Sequence, residues 1–174
     1  MRTLEHRRHS RRDPGGVQLN EAGRALARRV ASTMPRFDRV VASPKPRATE
    51  TAEIVGGRVD AVVGGLAEMP DDLGLIVPSD APRSFAEYAR IVRRSPAAAA
   101  FALEQLALWR SELERVPDGG SLLPVSHGGV IEFGAVRAVP IVASRWGAPL
   151  GYLEGIRLRW DGRWRSGELL RVPP

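Results

Sequence analysis

The first 63 residues alternate between short apolar runs and amphipathic stretches, and this alternation constrains the fold more than any other feature of the chain. Residues 2–8 read as a strand, with an unusually polar centre at Glu5, His6 and Arg7. A polar loop follows, with Asp13-Pro14-Gly15-Gly16 as its turn signal. Asn20 suits an N-cap, and Glu21 suits the positive end of a helix. Ala22, Ala25, Leu26 and Val30 give that helix an apolar stripe to about Met34, and Pro35 stops it. Residues 37–42 are a buried type of strand around Val40 and Val41. Pro46 suits the first turn of a helix to about Val55, closed by Gly56-Gly57, and residues 59–63 form a third strand. A β-α-β-α-β order argues for a mostly parallel sheet with right-handed crossovers. The expected fold class is therefore α/β, with three α/β/α layers around a mostly parallel central sheet.

Residues 64–82 have the composition of a loop, with glycines, prolines and Asp71-Asp72. Such a long connection is more often functional than incidental. Helices are expected at about 84–92 and 96–116, the second burying Phe101, Leu103, Leu106 and Leu113. Asp118-Gly119-Gly120 leads into a strand at 122–126, and a helix can start at Gly129 and reach Ala138. Residues 152–160 and 164–172 flank Asp161-Gly162, a hairpin signal. No repeat, low-complexity segment or domain boundary interrupts the chain, so residues 1–174 are read as a single domain.

A length of 174 residues and 43% apolar content suit one globular core. No apolar run approaches the roughly 20 residues of a membrane span. The Arg-rich N-terminus has no apolar signal segment, and a cytoplasmic location is expected. With no cysteine, there is neither a disulfide framework nor a thiolate site. The net charge of +6 favours anionic partners. Of the 26 basic residues only Lys45 is lysine, and the arginines scatter along the chain without a compact run of interleaved aromatics. Neither a nucleic-acid partner nor a membrane is expected.

Chemistry concentrates where strands hand over to loops. His9 follows Arg8 at the end of the first strand, and His127 precedes Gly128-Gly129 at the end of a later one. A neutral imidazole can attack phosphorus, and a guanidinium can hold phosphoryl oxygens as a fork. Arg47 lies at a helix N-terminus, where backbone N–H groups also favour an anion. His6, three residues from His9 in an extended strand, faces the opposite side of the sheet and reads as structural. That placement, and the absence of a helical His-x-x-x-His, argue against a metal site.

In combination these segments resemble the histidine phosphatase (phosphoglycerate mutase-like) superfamily. Arg8-His9-Ser10 matches an Arg-His-Gly motif at two of three positions, and Leu19-Asn20-Glu21-Ala22-Gly23 echoes a Leu-Thr-x-x-Gly helix start. Ser43, Pro44, Arg47, Thr51 and Ala52 match Ser-Pro-x-x-Arg-x-x-x-Thr-Ala in full, and Val125 to Gly129 matches the context of a second histidine. The resemblance covers about residues 2–138. It implies a phosphoglycerate mutase-like fold and a phosphatase that needs no metal or cofactor.

By that resemblance His9 accepts the phosphoryl group, while Arg8, Arg47 and His127 surround the phosphate. Leu66-Ala67-Glu68 fits the Leu-x-Glu context of the family's general acid, with Asp71 and Asp72 as alternatives. Ser10, Arg12 and Gly128 are further candidates for phosphate contact. Ser10 departs from the family's glycine, with a hydroxyl available to replace a lost backbone contact. The partner implied is a small phosphorylated substrate or a phosphohistidine on another protein. A mutase is the alternative within the family, disfavoured by the short chain and by Arg11, Arg12 and Asp13 where mutases carry an asparagine. From another class, a non-catalytic nucleic-acid or anion binder stays open. The sequence leaves the oligomeric state unassigned.

Overall fold

The computed structural model describes residues 1–78, 81 and 83–173. In chain order its elements are β1 (Arg2–Arg8), α1 (Glu21–Ala31), β2 (Arg39–Ala42), α2 (Pro46–Gly56) and β3 (Ala61–Val62). A single 3-10 turn (Gly64–Leu66) precedes α3 (Asp71–Ile76), α4 (Phe85–Arg94), α5 (Pro96–Glu114) and β4 (Ser121–Ser126). The chain closes with α6 (Val130–Ala138), α7 (Pro140–Ala143), β5 (Gly155–Trp160) and β6 (Trp164–Leu170).

The six strands form one sheet in the order β3-β2-β4-β1-β5-β6. β1, β2, β3 and β4 pair in parallel, whereas β5 runs antiparallel to both β1 and β6. Helices cover both faces. Val40, Ala42, Leu123 and Val125 pack with Ala27 and Val30 of α1 and with Ala48, Ala52 and Val55 of α2. Leu4, Val41, Leu122, Ile156 and Leu158 pack on the other face with Phe101, Trp109 and Leu113 of α5 and Phe133 of α6. Trp109 and Phe133 are fully buried, and burying a side chain like Phe contributes about 1.5–3 kcal/mol. The expected three-layer α/β/α architecture is the one observed.

Local chemistry explains the element ends. The Asn20 side chain accepts from the Gly23 N–H and caps α1. Pro46 opens α2, and Gly57, with φ of 72°, closes it in the left-handed region where glycine carries no Cβ penalty. Ser84 and Glu87 form a reciprocal capping box at α4.

Four expectations need correction. α1 ends at Ala31 rather than near Met34, and β3 is confined to Ala61–Val62 at the sheet edge. The stretch 64–82 is not all loop, since it holds the 3-10 turn and α3. There Asp71 and Asp72 suit the positive helix end, and Leu73 and Val77, one turn apart, are buried at 0% and 2% exposure. The hairpin begins only at Gly155, which leaves Leu150 to Leu153 free to serve the site.

The polar centre of β1 is also accounted for. Glu5 is buried and accepts from Arg7 and Arg157, each guanidinium with one nitrogen 2.7 Å from the carboxylate. A buried carboxylate held by two forks is compensated, and stripping one partner away would leave a costly charge. On the opposite face of the strand, His6 donates or accepts at Nε2 with Ser126 Oγ at 2.7 Å and meets Trp109 edge-on at 5.1 Å.

Candidate active site

β1, α2 and β4 bring their C-terminal or N-terminal ends to one point, as expected where parallel strands end in an open sheet. A cavity of about 320 Å³ lies there, lined by Arg8, His9, Arg12, Arg47, His127 and Gly128. Met69, Val77, Pro78, Tyr88, Gly129, Glu132, Leu150 and Tyr152 complete the wall.

His9 is 5% exposed, and its Nδ1 lies 2.7 Å from the Ser10 carbonyl oxygen. A carbonyl can only accept, so Nδ1 carries the proton and Nε2 keeps its lone pair. Arg47 Nε donates to that Nε2 at 3.2 Å. His127 is fixed by the same logic. Its Nδ1 faces Arg47 Nη2 at 3.4 Å, a guanidinium cannot accept, and so the Nε2–H donates to Ser43 Oγ at 2.8 Å. The two imidazoles lie 5.1 Å apart.

Burial is the main cause that lowers the His9 pKa to about 3, with the Arg47, Arg8 and Arg12 charges adding to it. Burial likewise lowers His127 to about 2, helped by His9, Arg47, Lys45 and Arg8. The Arg47 pKa is itself pushed down by burial and by Arg12 and Arg8. Three guanidiniums and two neutral imidazoles thus converge on a site whose field is strongly positive. An anion placed among them relieves that repulsion. Arg8 crosses the Tyr152 ring at 4.9 Å and donates to the Leu150 carbonyl, while its buried Nε has no hydrogen-bond partner among the described residues.

Not all the other expected site residues reach the cavity. Ser10 is buried and turned from the cavity: its hydroxyl donates to the Gly23 carbonyl at 2.7 Å, and its N–H donates to Thr51 Oγ1 at 3.0 Å. The expected replacement phosphate contact is therefore corrected to a structural one. Arg12 reaches the cavity while donating from Nη1 to the Asp13 and Gly16 carbonyls, each at 3.1 Å. Gly128 leaves space beside Arg8, whose Cζ would lie 3.5 Å from an added Cβ.

Glu68 is exposed, ion-paired to Lys45, and lines an adjoining cleft with Arg47, Asp71, His127 and Gly128 rather than the His9 cavity itself. Asp71 and Asp72 sit exposed at the first turn of α3, where Asp72 Oδ1 accepts from the Leu73 N–H at 2.9 Å.

Three polar wall residues escaped the sequence reading. Tyr152 was expected inside a strand. Tyr88 and Glu132 lie on helices, with no motif to mark them. Ser43 belongs to a motif, but its hold on His127 is visible only in three dimensions.

Residues 2–166 match the model of the histidine phosphatase superfamily, branch 1. The chain belongs to this superfamily. No curated protein matches it significantly. Among solved structures, phosphoserine phosphatase from Entamoeba histolytica in complex with 3-phosphoglyceric acid is similar at a TM-score of 0.74 and 17% identity, covering 99% of this chain and 98% of that one. A mycobacterial glucosyl-3-phosphoglycerate phosphatase gives 0.67 and 22%, with 98% of each chain covered. Phosphoglycerate mutase from Bacillus anthracis gives 0.65 and 15%, covering 94% of this chain and 90% of that one. The fold of this superfamily member is therefore phosphoglycerate mutase-like.

Proposed function

We propose that this histidine phosphatase hydrolyses small phosphomonoesters through a phosphohistidine on His9. The observation that carries the reading is the tautomer of His9, with Nδ1–H donating to Ser10 and the Nε2 lone pair facing the cavity. Nε2 attacks phosphorus, the bond to the leaving oxygen breaks, and that oxygen takes a proton from Glu68. Water then attacks the phosphorus, gives its proton to Glu68, and displaces Nε2 to release inorganic phosphate. Arg8, Arg47 and His127 hold the equatorial oxygens, where charge spreads during transfer. Ser43 keeps His127 oriented.

In the free enzyme Glu68 pairs with Lys45, so it must leave that pair, take up the proton that a monoanionic phosphate ester brings, and turn toward the leaving oxygen to act. Its place beside Arg47 and His127 in the adjoining cleft supports that role over Asp72. The cavity volume is of the size that takes small molecules. Two of the similar structures are phosphatases named for small phosphoesters, which favours such a substrate over a phosphohistidine protein. A nucleic-acid reading has less support, because many arginines away from the cavity pair with carboxylates, as in Arg24–Glu50 and Arg39–Glu112.

The test is to quench turnover of a labelled ester and examine the protein. Label that is acid-labile, alkali-stable and absent from His9→Ala supports the mechanism. Label on a serine or carboxylate, or full turnover by His9→Ala, rejects it.

A further inference from the structure

The Arg8 guanidinium lies in a slot with two walls. On one side is Gly128, where an added Cβ would come within 3.5 Å of Arg8 Cζ. On the other are the Leu150 carbonyl, which accepts from Arg8 Nη1, and the Tyr152 ring, 4.9 Å from Cζ. Both walls are tied to one side chain. Glu132, in the first turn of α6 and 1% exposed, accepts the Gly129 N–H at Oε2 at 2.7 Å and the Leu150 N–H at Oε1 at 3.1 Å. Its two hydrogen bonds thus go to the backbone on either side of the guanidinium rather than to the guanidinium itself. Burial raises the Glu132 pKa, against the pull of those two N–H groups and of the Arg8 charge. A carboxyl accepts at both oxygens in either protonation state, so the tie does not depend on its charge.

We propose that Glu132 is a positioning residue for the phosphate site: it clamps the turn after His127 to the Leu150 segment and so sets the slot that aims the Arg8 guanidinium at the substrate. This rests on the phosphatase reading above and adds a residue to its machinery. A guanidinium binds an anion as a planar fork, so its angle matters as well as its charge. The buried Arg8 Nε has no hydrogen-bond partner among the described residues, so nothing at that nitrogen fixes the angle. The Leu150 carbonyl fixes it at Nη1, and Glu132 holds Leu150 in place.

Glu132→Gln keeps the shape, but its NH2 group must face one of the two N–H groups, so one bond is lost. On nitrophenyl phosphate, kcat/KM should fall by about 10–10²-fold, since a misplacement of about 1 Å away from the chemistry can cost about 10²-fold. Vanadate affinity should fall with it. The double variant gives the decisive comparison. If Glu132 acts through Arg8, adding Glu132→Gln to Arg8→Ala should cost less than about twofold further in either quantity, because coupled residues are not additive. A purely structural role gives losses that multiply, and that result overturns the proposal. So does a folded Glu132→Gln enzyme with wild-type kcat/KM and vanadate affinity. If a variant fails to fold or to turn over, hydrogen exchange of the unmodified enzyme decides. Saturating vanadate should slow exchange of the Leu150 N–H by at least about tenfold, since a clamp that favours the oxyanion is favoured by it in turn. Unchanged exchange overturns the proposal. None of these results touches the phosphatase reading. Failure of the unmodified enzyme to hydrolyse nitrophenyl phosphate, together with no labelling of His9, instead overturns that reading and this inference with it.

Discussion

The Nε of Arg47 lies 3.2 Å from the Nε2 of His9, so the guanidinium that is to hold phosphate already points at the nitrogen that is to attack it. The incoming phosphoryl group must enter between them and take over the Arg47 hydrogen bond. A planar fork can do so while staying in register with the imidazole, and a lysine ammonium cannot. Arg47→Lys should therefore lower kcat/KM by about 10²–10³-fold, the range seen when a transition-state donor is removed. Vanadate affinity should fall alongside. Steady-state kinetics with vanadate inhibition checks both, and wild-type values for the two would remove Arg47 from the phosphate site.

Acid should destabilise the fold through its buried histidines. His6 is fully buried, and burial lowers its pKa to about 3, below its ordinary value of 6.5. A base with a depressed folded pKa contributes stability that is complete above about pH 6.5 and is lost as pH falls toward 3. At pH 5 the His6 share of that loss is on the order of 2 kcal/mol. Urea unfolding at pH 7 and pH 5 should show the decline. His6→Gln, which cannot take up a proton but keeps a group to meet Ser126, should show a smaller one. An identical decline in both proteins would mean that His6 is not the titrating group.

How far the site was legible depended on whether chemistry stayed local in the chain. Arg8, His9, Arg47, His127 and Gly128 each fall at the end of a strand or the start of a helix, where sequence pattern and site geometry coincide, and all five line one cavity. The β-α-β-α-β alternation was legible for the same reason, being a matter of local periodicity. Glu132 was not, because it reads as an ordinary polar position of α6 until Leu150 folds back to meet it. Tyr152 was hidden because its neighbours continue into a strand pattern. The opposite error arose at Ser10, where a hydroxyl next to the nucleophile suggests a phosphate contact. The bond to Gly23 that diverts it joins residues 13 positions apart. α3 was concealed by composition, since Pro70, Asp71, Asp72 and Gly74 outweigh the Leu73–Val77 pair in a count of residue types.

Gly23 shows how a motif residue can serve the site from outside it. A Cβ built there would lie 2.1 Å from the Arg11 carbonyl oxygen, a backbone atom with little room to give. Gly23 also supplies the carbonyl that holds Ser10, directly beside His9. Gly23→Ala should destabilise the fold by about 1–3 kcal/mol, the usual range for an overpacked site. It should also lower kcat on nitrophenyl phosphate, because the Arg11 segment and His9 are displaced together. Thermal unfolding and steady-state kinetics would detect the pair of effects. Stability and turnover at wild-type levels would show that the loop moves aside freely.

Glu68 must pass the most demanding test, because in the free enzyme its carboxylate is committed to Lys45. An alkoxide leaving group needs a proton in the transition state, and a positioned general acid contributes about 10²–10⁴-fold. Nitrophenolate needs that proton far less. Glu68→Gln should therefore slow the phosphorylation of His9 by an alkyl phosphate much more than by nitrophenyl phosphate. Single-turnover measurements are required, since the same carboxylate activates water in the second step. Lys45→Met adds an independent handle: it frees the carboxylate without touching it, so any slowing should be shared by both esters. Equal slowing of the two esters by Glu68→Gln would reduce Glu68 to a positioning residue. The comparison would then pass to Asp71, which lines the same cleft beside Arg47 and His127.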